Sequence, residues 1–174
     1  MKASIIIGAS WLLLPATVVR SQAPNDAQIA SIVVTANQVD IDAGKLALAK
    51  SRNAEVKAFA QRMITDHSAV IKAGGDLLAK LNVTPEDNPT SESLKSDGDK
   101  NLAHLKTLKD GAFDKAYMDR EVEYHTQVID ALDKTLIPST TNAEFKALLV
   151  KARPTFVAHL EEAKRLQTSL NKKN

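Results

Sequence analysis

Apolar residues recur at spacings of three and four along most of the chain, the pattern of helices that bury one face. The strict alternation that is typical of strands is almost absent. Four long segments carry the helical pattern, and they cover residues 25–50, 53–81, 112–136 and 141–170. The pattern therefore predicts an all-α domain.

Capping motifs predict where three of these helices begin. Asn25–Gln28 and Thr141–Glu144 have the form of a capping box, in which the first and fourth residues satisfy each other's backbone N–H groups. Asn53 is a suitable N-cap for the second helix. Pro154 lies inside the fourth helix and lacks a backbone N–H, so we expect a kink near Lys151.

The second and third helices are joined by a long connection over residues 82–100, which holds two prolines and many serine, aspartate and asparagine residues. We expect a flexible crossover there, followed by a short helix and a break at Gly111. The apolar residues of the short helix are Leu94, Leu102, Leu105 and Leu108. A turn at Pro138 joins the last two helices. Two helical hairpins joined in this way predict a ferritin-like up-down four-helix bundle with a short extra helix between helices 2 and 3.

The first residues have the features of an export signal. Lys2 supplies a positive charge, and the apolar run 5–14 is followed by small residues. This run is shorter than the about 20 apolar residues that span a bilayer. We therefore expect cleavage after Ser21 or Ala23 and no transmembrane anchor after the signal is removed.

The predicted division is a signal peptide over 1–23 and a bundle domain over 24–174, working in the periplasm or elsewhere outside the cytoplasm. Loss of Lys2 and Arg20 takes away two of the 23 basic residues and leaves 21 against 21 acidic residues. A neutral domain lacks the basic surface that binds nucleic acid. Since the sequence has no cysteine, disulfides, thiol catalysis and thiolate metal sites are excluded.

Each long helix carries one polar residue on its inward face that could bind a metal ion. These residues are Asp40, His67, His125 and His159. A buried carboxylate or imidazole needs a partner, and four such groups in one core could serve each other or an ion such as Zn, Cu or Fe. The inward positions therefore suggest an internal metal or small-ligand site.

Several observations oppose a compact four-ligand site. His125 lies about 11 residues and His159 about 17 residues from the turn that joins their helices, an offset of roughly 9 Å along the bundle. The alternative to a metal site is that each histidine is an ordinary core residue, hydrogen-bonded to a carbonyl group, Tyr117 or Tyr124. Di-iron bundles use Glu-x-x-His, which is missing here, so ferroxidase chemistry is not expected. The residues three before the histidines are Ile64, Val122 and Phe156.

Three further residues bear on this hypothesis. Met63 and Met118 lie one and two turns before His67 and His125, where they would suit copper or would simply fill the core. Glu121 precedes His125 by four residues and could support it, although a glutamate at such a spacing is usually solvated. His104 lies off its leucine row, so we expect it to be exposed.

The sequence resembles the domain-of-unknown-function 4142 family in the order and spacing of several segments. The matching segments are Asp40–Ala47, Val56–His67, Phe113–Tyr117, His125 and His159–Ala163. The resemblance implies a bacterial exported protein with a ferritin-like helical bundle and a place in the periplasm or envelope. It implies no established reaction. Members of the family are often labelled outer membrane proteins, and they commonly have Glu where this chain has Asp40.

Two functional hypotheses remain at this stage. The first is a ferritin-like envelope protein with an internal site formed by Asp40, His67, His125 and His159. The second is a structural or stress-related protein without metal, which acts by binding another envelope protein. Nothing in the sequence resembles an activated nucleophile or a redox cofactor site, so an enzyme is the less favoured class.

Overall fold

The computed structural model describes residues 23–172, and within this range the chain forms five helices and no strand. The helices are α1 Asp26–Lys50, α2 Ala54–Leu81, α3 Pro89–Thr107, α4 Asp110–Ala131 and α5 Ala143–Lys172. Helix α4 continues through a π-helical segment, Leu132–Leu136, into a last helical turn, Ile137–Ser139. The all-α prediction is confirmed, whereas the ferritin-like connectivity stays a prediction.

Side-chain caps set the helix starts much as the sequence predicted. Asn25 and Gln28 form the predicted capping box at α1, and Asn53 accepts bonds from two backbone N–H groups of α2. The N-cap of α5 is Asn142, one residue later than predicted. Thr141 does not cap the helix, because its backbone N–H and its hydroxyl both donate to the Asp26 carboxylate.

Helix α3 begins earlier than the sequence indicated. The prediction of a flexible crossover over residues 82–100 is wrong from Pro89 onward, because α3 occupies the rest of that segment. Asn88 starts the helix by accepting bonds from the N–H groups of Thr90 and Ser91, and Pro89 takes the first helical position, where no N–H is needed. Helix α3 then packs along α1.

The core consists of two apolar clusters at different levels of the bundle. One cluster includes Phe59, Met63, Phe113, Tyr117, Met118 and Leu166. The other includes Ile29, Leu78, Leu132, Leu136, Phe145 and Phe156. On α1, α2, α4 and α5 the polar candidates predicted from the sequence lie between the residues of these two clusters. The clusters therefore enclose a polar layer inside the bundle.

Two other sequence-based expectations have different outcomes. Helix α5 runs without interruption through Pro154, and the kink near Lys151 stays a prediction. Residues 1–22 of the predicted signal peptide, 1–23, lie outside the described residues. Within residues 23–172, no helix is long and apolar enough to cross a membrane.

The packing of α3 on α1 can be tested by a pair of glycine substitutions. A Cβ atom at Gly98 would lie 2.7 and 2.9 Å from the two methyl carbons of Val39, whose stiff side chain cannot easily turn away. Gly98→Ala should therefore lower the free energy of unfolding by about 1–3 kcal/mol.

Gly75→Ala is the matched control, since a Cβ atom there meets nothing within 4 Å. This substitution should raise the free energy of unfolding by about 0.5–1 kcal/mol, because alanine is the better helix former. Urea unfolding followed by circular dichroism measures both changes. Equal effects of the two substitutions would show that α3 does not lie against Val39.

Candidate metal centre

The structure brings all four predicted site residues together, one from each of α1, α2, α4 and α5. Asp40, His67, His125 and His159 are between 0 and 3% exposed. The ring centroids lie 5.6 Å apart for His67 and His125, and 5.3 Å apart for the two pairs that include His159. The four side chains thus form one buried cluster, although their role as metal ligands stays a prediction.

The predicted offset between His125 and His159 is wrong, because the two rings are in contact distance of each other. The predicted offset assumed that the helix that carries His125 ends at Leu136 and that Pro138 lies in a turn. In the structure the helix continues to Ser139, and Pro138 is accommodated near the start of the last helical turn. Counted from Ser139 and Ala143, the two histidines lie at similar levels.

A hydrogen bond outside the cluster fixes the ring of His67. The side-chain nitrogen of Asn37 donates to the Val33 carbonyl, which leaves the Asn37 oxygen to face His67. His67 Nδ1 lies 2.7 Å from that oxygen and must donate to it, because an amide oxygen only accepts. The other ring nitrogen, Nε2, faces the cluster and lies 2.6 Å from a carboxylate oxygen of Asp40.

The other two rings are held in the same way. His125 Nδ1 donates to the backbone carbonyl of Glu121 at 3.0 Å, and His159 Nε2 donates to the partly exposed Asp66 carboxylate at 2.8 Å. Each imidazole therefore uses one nitrogen for an outer bond and turns the other inward. Metal-binding histidines have the same arrangement, since the outer bond fixes both tautomer and orientation.

The inward atoms lack well-aligned hydrogen bonds. This holds for both carboxylate oxygens of Asp40, for Glu121 Oε2, and for one nitrogen of each ring. The ring nitrogens are His67 Nε2, His125 Nε2 and His159 Nδ1. Asp40 approaches two of these nitrogens at ion-pair distance, 2.6 Å to His67 and 3.5 Å to His125, without completing a hydrogen bond. An unbonded polar atom in a dry interior costs free energy.

The sequence did not predict that Glu121 is a buried member of the cluster. Its side chain is only 2% exposed, and one carboxylate oxygen lies 3.3 Å from His125 Nδ1. The spacing of four residues before His125 was the available signal, and it pointed equally to a solvated surface. Burial raises the pKa of the Tyr117 hydroxyl, one turn earlier on α4, and the nearby Glu121 adds to this increase.

The two carboxyl groups of the cluster have opposite protonation tendencies. Burial would raise the pKa of Asp40, but the neighbouring His67 and His125 outweigh it and lower the pKa to about 2. Burial raises the pKa of Glu121, and the negative charge of Asp40 raises it further, to about 8. At neutral pH the pair therefore holds one charge, on Asp40, and one proton, on Glu121.

Two of the imidazoles, those of His125 and His159, also have pKa values shifted in opposite directions. Burial alone would lower the pKa of His125, but its contacts with Glu121 and Asp40 raise it to about 9. Burial lowers the pKa of His159 to about 4, against the opposing effect of Asp66. His125 is thus a cation beside the Asp40 carboxylate, whereas His159 is neutral and offers a lone pair.

The donor atoms fall into two overlapping groups that could each hold an ion. In each group the atoms lie within 4.8 Å of one another. The groups are His67, His125 and His159, and Asp40, Glu121 and His125. Imidazole nitrogens and carboxylate oxygens are suitable ligands for first-row transition ions. The donor set fits such an ion.

The structure also shows where the other histidine, two methionines and Tyr124 lie. His104 is exposed on α3, as expected. Met63 and Met118 both belong to the apolar cluster that contains Phe59, which agrees with the core-packing interpretation of these residues. The bond of His125 to the Glu121 carbonyl agrees with the alternative that treats the histidines as core residues. Tyr124 donates to the Ala36 carbonyl at 2.8 Å rather than to a histidine.

Comparisons with known proteins place the chain in a family. Residues 14–166 match the family described as "Domain of unknown function (DUF4142)", and the chain belongs to it. Among solved structures, it is similar to CopM in the Cu(II)-bound form, with a TM-score of 0.65 and 16% identity over 85% of this chain and 99% of that chain. This likeness shows a shared helical fold. No curated protein matches the sequence significantly.

The protonation of the cluster predicts how stability changes with pH in the presence of a chelator. The raised pKa values of Glu121 and His125 mean that the folded protein keeps protons that the unfolded chain releases, so their stabilising effect is lost as pH rises. Glu121 lowers the free energy of unfolding as pH rises from about 4.5 to 8, and His125 lowers it from about 6.5 to 9, each by about 1.4 kcal/mol per pH unit. Below about pH 6.5 the lowered pKa of His159 opposes the effect of Glu121, so the net fall should occur between about pH 6.5 and 9.

Guanidinium unfolding at several pH values measures this slope. Glu121→Gln should flatten it, because glutamine holds no titrating proton. Glu123→Gln, on the exposed side of the same helix, should keep the wild-type slope. A wild-type stability that is constant over this range, or an equal response of the two variants, would contradict the assignment.

Proposed function

We propose that this member of the DUF4142 family binds a divalent transition-metal ion inside its helical bundle. The ligands are His67 Nε2, His125 Nε2, His159 Nδ1 and the Asp40 carboxylate, with Glu121 completing the polar layer. One observation carries the proposal: six polar atoms from four helices converge in a buried layer without hydrogen bonds of their own. A bound ion would satisfy the inward nitrogens and the Asp40 oxygens together.

If the histidines were ordinary core residues, hydrogen bonding would account for the position of only one nitrogen of each ring. The bonds to Asn37, Glu121 and Asp66 satisfy the outer nitrogens. They leave the inner nitrogens facing each other and Asp40, where a structural role alone would favour apolar side chains. Ligation uses both nitrogens of every ring, so it accounts for the whole arrangement.

The donor set narrows the choice of ion. Three imidazoles and one carboxylate suit Cu(II), Zn(II) or Fe(II), and they do not form the oxygen-rich cage that Ca²⁺ requires. The structural likeness to CopM in its Cu(II)-bound form makes Cu(II) the first ion to test. Binding would displace the protons on His125 and Glu121, so affinity should increase with pH.

The proposed role is binding and storage of the ion rather than a reaction. With the predicted export signal, the protein would perform this role in the periplasm or elsewhere in the bacterial envelope. A ferritin-like bundle suits such a role, because facing helices supply the ligands from a rigid core. An envelope protein that receives or delivers the ion would be the corresponding partner.

Metal titration of the chelator-treated protein tests the proposal. Cu(II) and Zn(II) should raise the melting temperature, because an ion that binds only the folded state stabilises it by mass action. In variants with leucine at His67, His125 or His159, this rise should disappear, while the metal-free proteins stay folded. Differential scanning calorimetry records both quantities.

His104→Leu is the control, since His104 is the exposed histidine of α3. It should keep the full metal-dependent rise. We would abandon the proposal if neither ion changed the melting temperature of the wild type, or if His104→Leu lost the rise as completely as the three cluster variants. Isothermal titration should give one ion per chain.

A further inference from the structure

A large cavity lies next to the polar layer, bounded by residues of all five helices. Its volume is about 590 Å³, which falls within the range of small-molecule sites, roughly 300–1,000 Å³. Voids larger than a water molecule are few in a packed core. The packing of the described residues therefore leaves room for a molecule of considerable size.

The wall of the cavity is apolar and uncharged. No Asp, Glu, Lys or Arg occurs among its lining residues. Aliphatic and aromatic side chains provide most of the surface, and they include Ile32, Val70, Leu94, Val128, Leu149 and Phe156. A charged group placed inside would lose its hydration without gaining a partner. The cavity thus selects a neutral ligand.

The polar groups in the inner wall are already engaged. Asn37 binds both the Val33 carbonyl and His67, and the Tyr124 hydroxyl donates to the Ala36 carbonyl. His67 lies against Phe156 with ring centroids 5.3 Å apart. His67 Nδ1 is bonded to Asn37, and its Nε2 lies 2.6 Å from the Asp40 carboxylate in the polar layer. These groups therefore face partners within the protein, and the inner part of the ligand should be apolar.

The exposed polar residues lie on the border of the cavity. Thr90, Gln127 and Thr135 are exposed and belong to its lining. Hydroxyl and amide groups at this border can bind a neutral polar head. Along α1 the lining extends from Gln28 to Asn37, a length of about 14 Å at 1.5 Å per residue. The cavity therefore has room for an extended chain along α1.

We propose that this cavity binds a neutral, elongated apolar molecule, such as a straight-chain alcohol, with its chain inside and its uncharged head at the polar border. An apolar chain would supply the dispersion contacts that the cavity walls lack. The inner end of the chain would lie against the ring of His67 and the side chain of Phe156. This binding site does not depend on the proposed metal site, although His67 borders both.

Displacement of a neutral fluorescent probe, N-phenyl-1-naphthylamine, tests the proposal on protein expressed from residues 1–174, with chelator present. The probe should bind, and 1-dodecanol should displace it. Dodecanoate has the same chain with a charged head, and it should compete less well by about tenfold or more, since no lining cation can pair with it.

Replacing either of two alanine residues on α5 by phenylalanine tests whether the ligand binds in the cavity. Ala152 lines the cavity, so Ala152→Phe should fill part of the space and weaken 1-dodecanol binding by about tenfold or more. Ala158→Phe, at an exposed position of the same helix, should leave binding unchanged. If Ala152→Phe fails to fold, Ala131→Leu provides the same test from α4.

Three results would overturn the proposal. They are failure of the probe to bind, equal competition by dodecanoate and 1-dodecanol, and equal loss of binding in the Ala152 and Ala158 variants. Binding that occurs only after the N-terminal segment has been removed would assign the cavity to that segment instead. A positive result in the absence of metal would hold even if the metal proposal failed.

Discussion

Burial of the Asp40 carboxylate is the constraint on which the middle of this structure depends. Removing a carboxylate from water is costly unless neighbouring groups stabilise its charge. His67 and His125 provide that stabilisation and lower the pKa of Asp40 to about 2. Burial and the negative charge of Asp40 together raise the pKa of Glu121 and keep a proton on it, so that it does not add a second buried charge. The polar layer is therefore one electrostatic unit, and its members cannot be considered singly.

The apolar clusters on either side make this unit possible. They exclude water from the layer, and they fix the levels at which the four helices present their polar side chains. Outer hydrogen bonds from Asn37, the Glu121 carbonyl and Asp66 then set the orientation of the three rings. Preorganised ligands of this kind lose little freedom when an ion binds. The rigid fold thus supplies the geometry, and the inward nitrogens supply the chemistry.

Helix periodicity predicted most of the fold because the buried faces of α1, α2, α4 and α5 follow a simple spacing. It also identified Asp40, His67, His125 and His159, since a polar residue on an apolar face stands out. Helix α3 was recognised only in part, because its first half is rich in serine, aspartate and lysine and depends on packing against Val39 for its burial. A charge pattern cannot show such tertiary packing.

The errors about the site have related physical causes. The offset between His125 and His159 came from placing a turn at Pro138, where proline is in fact tolerated at the start of a last helical turn. The burial of Glu121 could not be predicted, because it depends on Asp40 from a distant part of the chain. Long-range contacts of this kind leave no local trace in the sequence.

The protonation and ligation of the individual ring nitrogens test the central claim most directly. Long-range proton–nitrogen NMR spectra distinguish Nδ1 from Nε2 in each of the four histidines. On addition of Zn(II), the account predicts ligand shifts at Nε2 of His67 and His125 and at Nδ1 of His159, with His104 unchanged. Spectra in which these three inward nitrogens do not change, or in which only His104 responds, would contradict it.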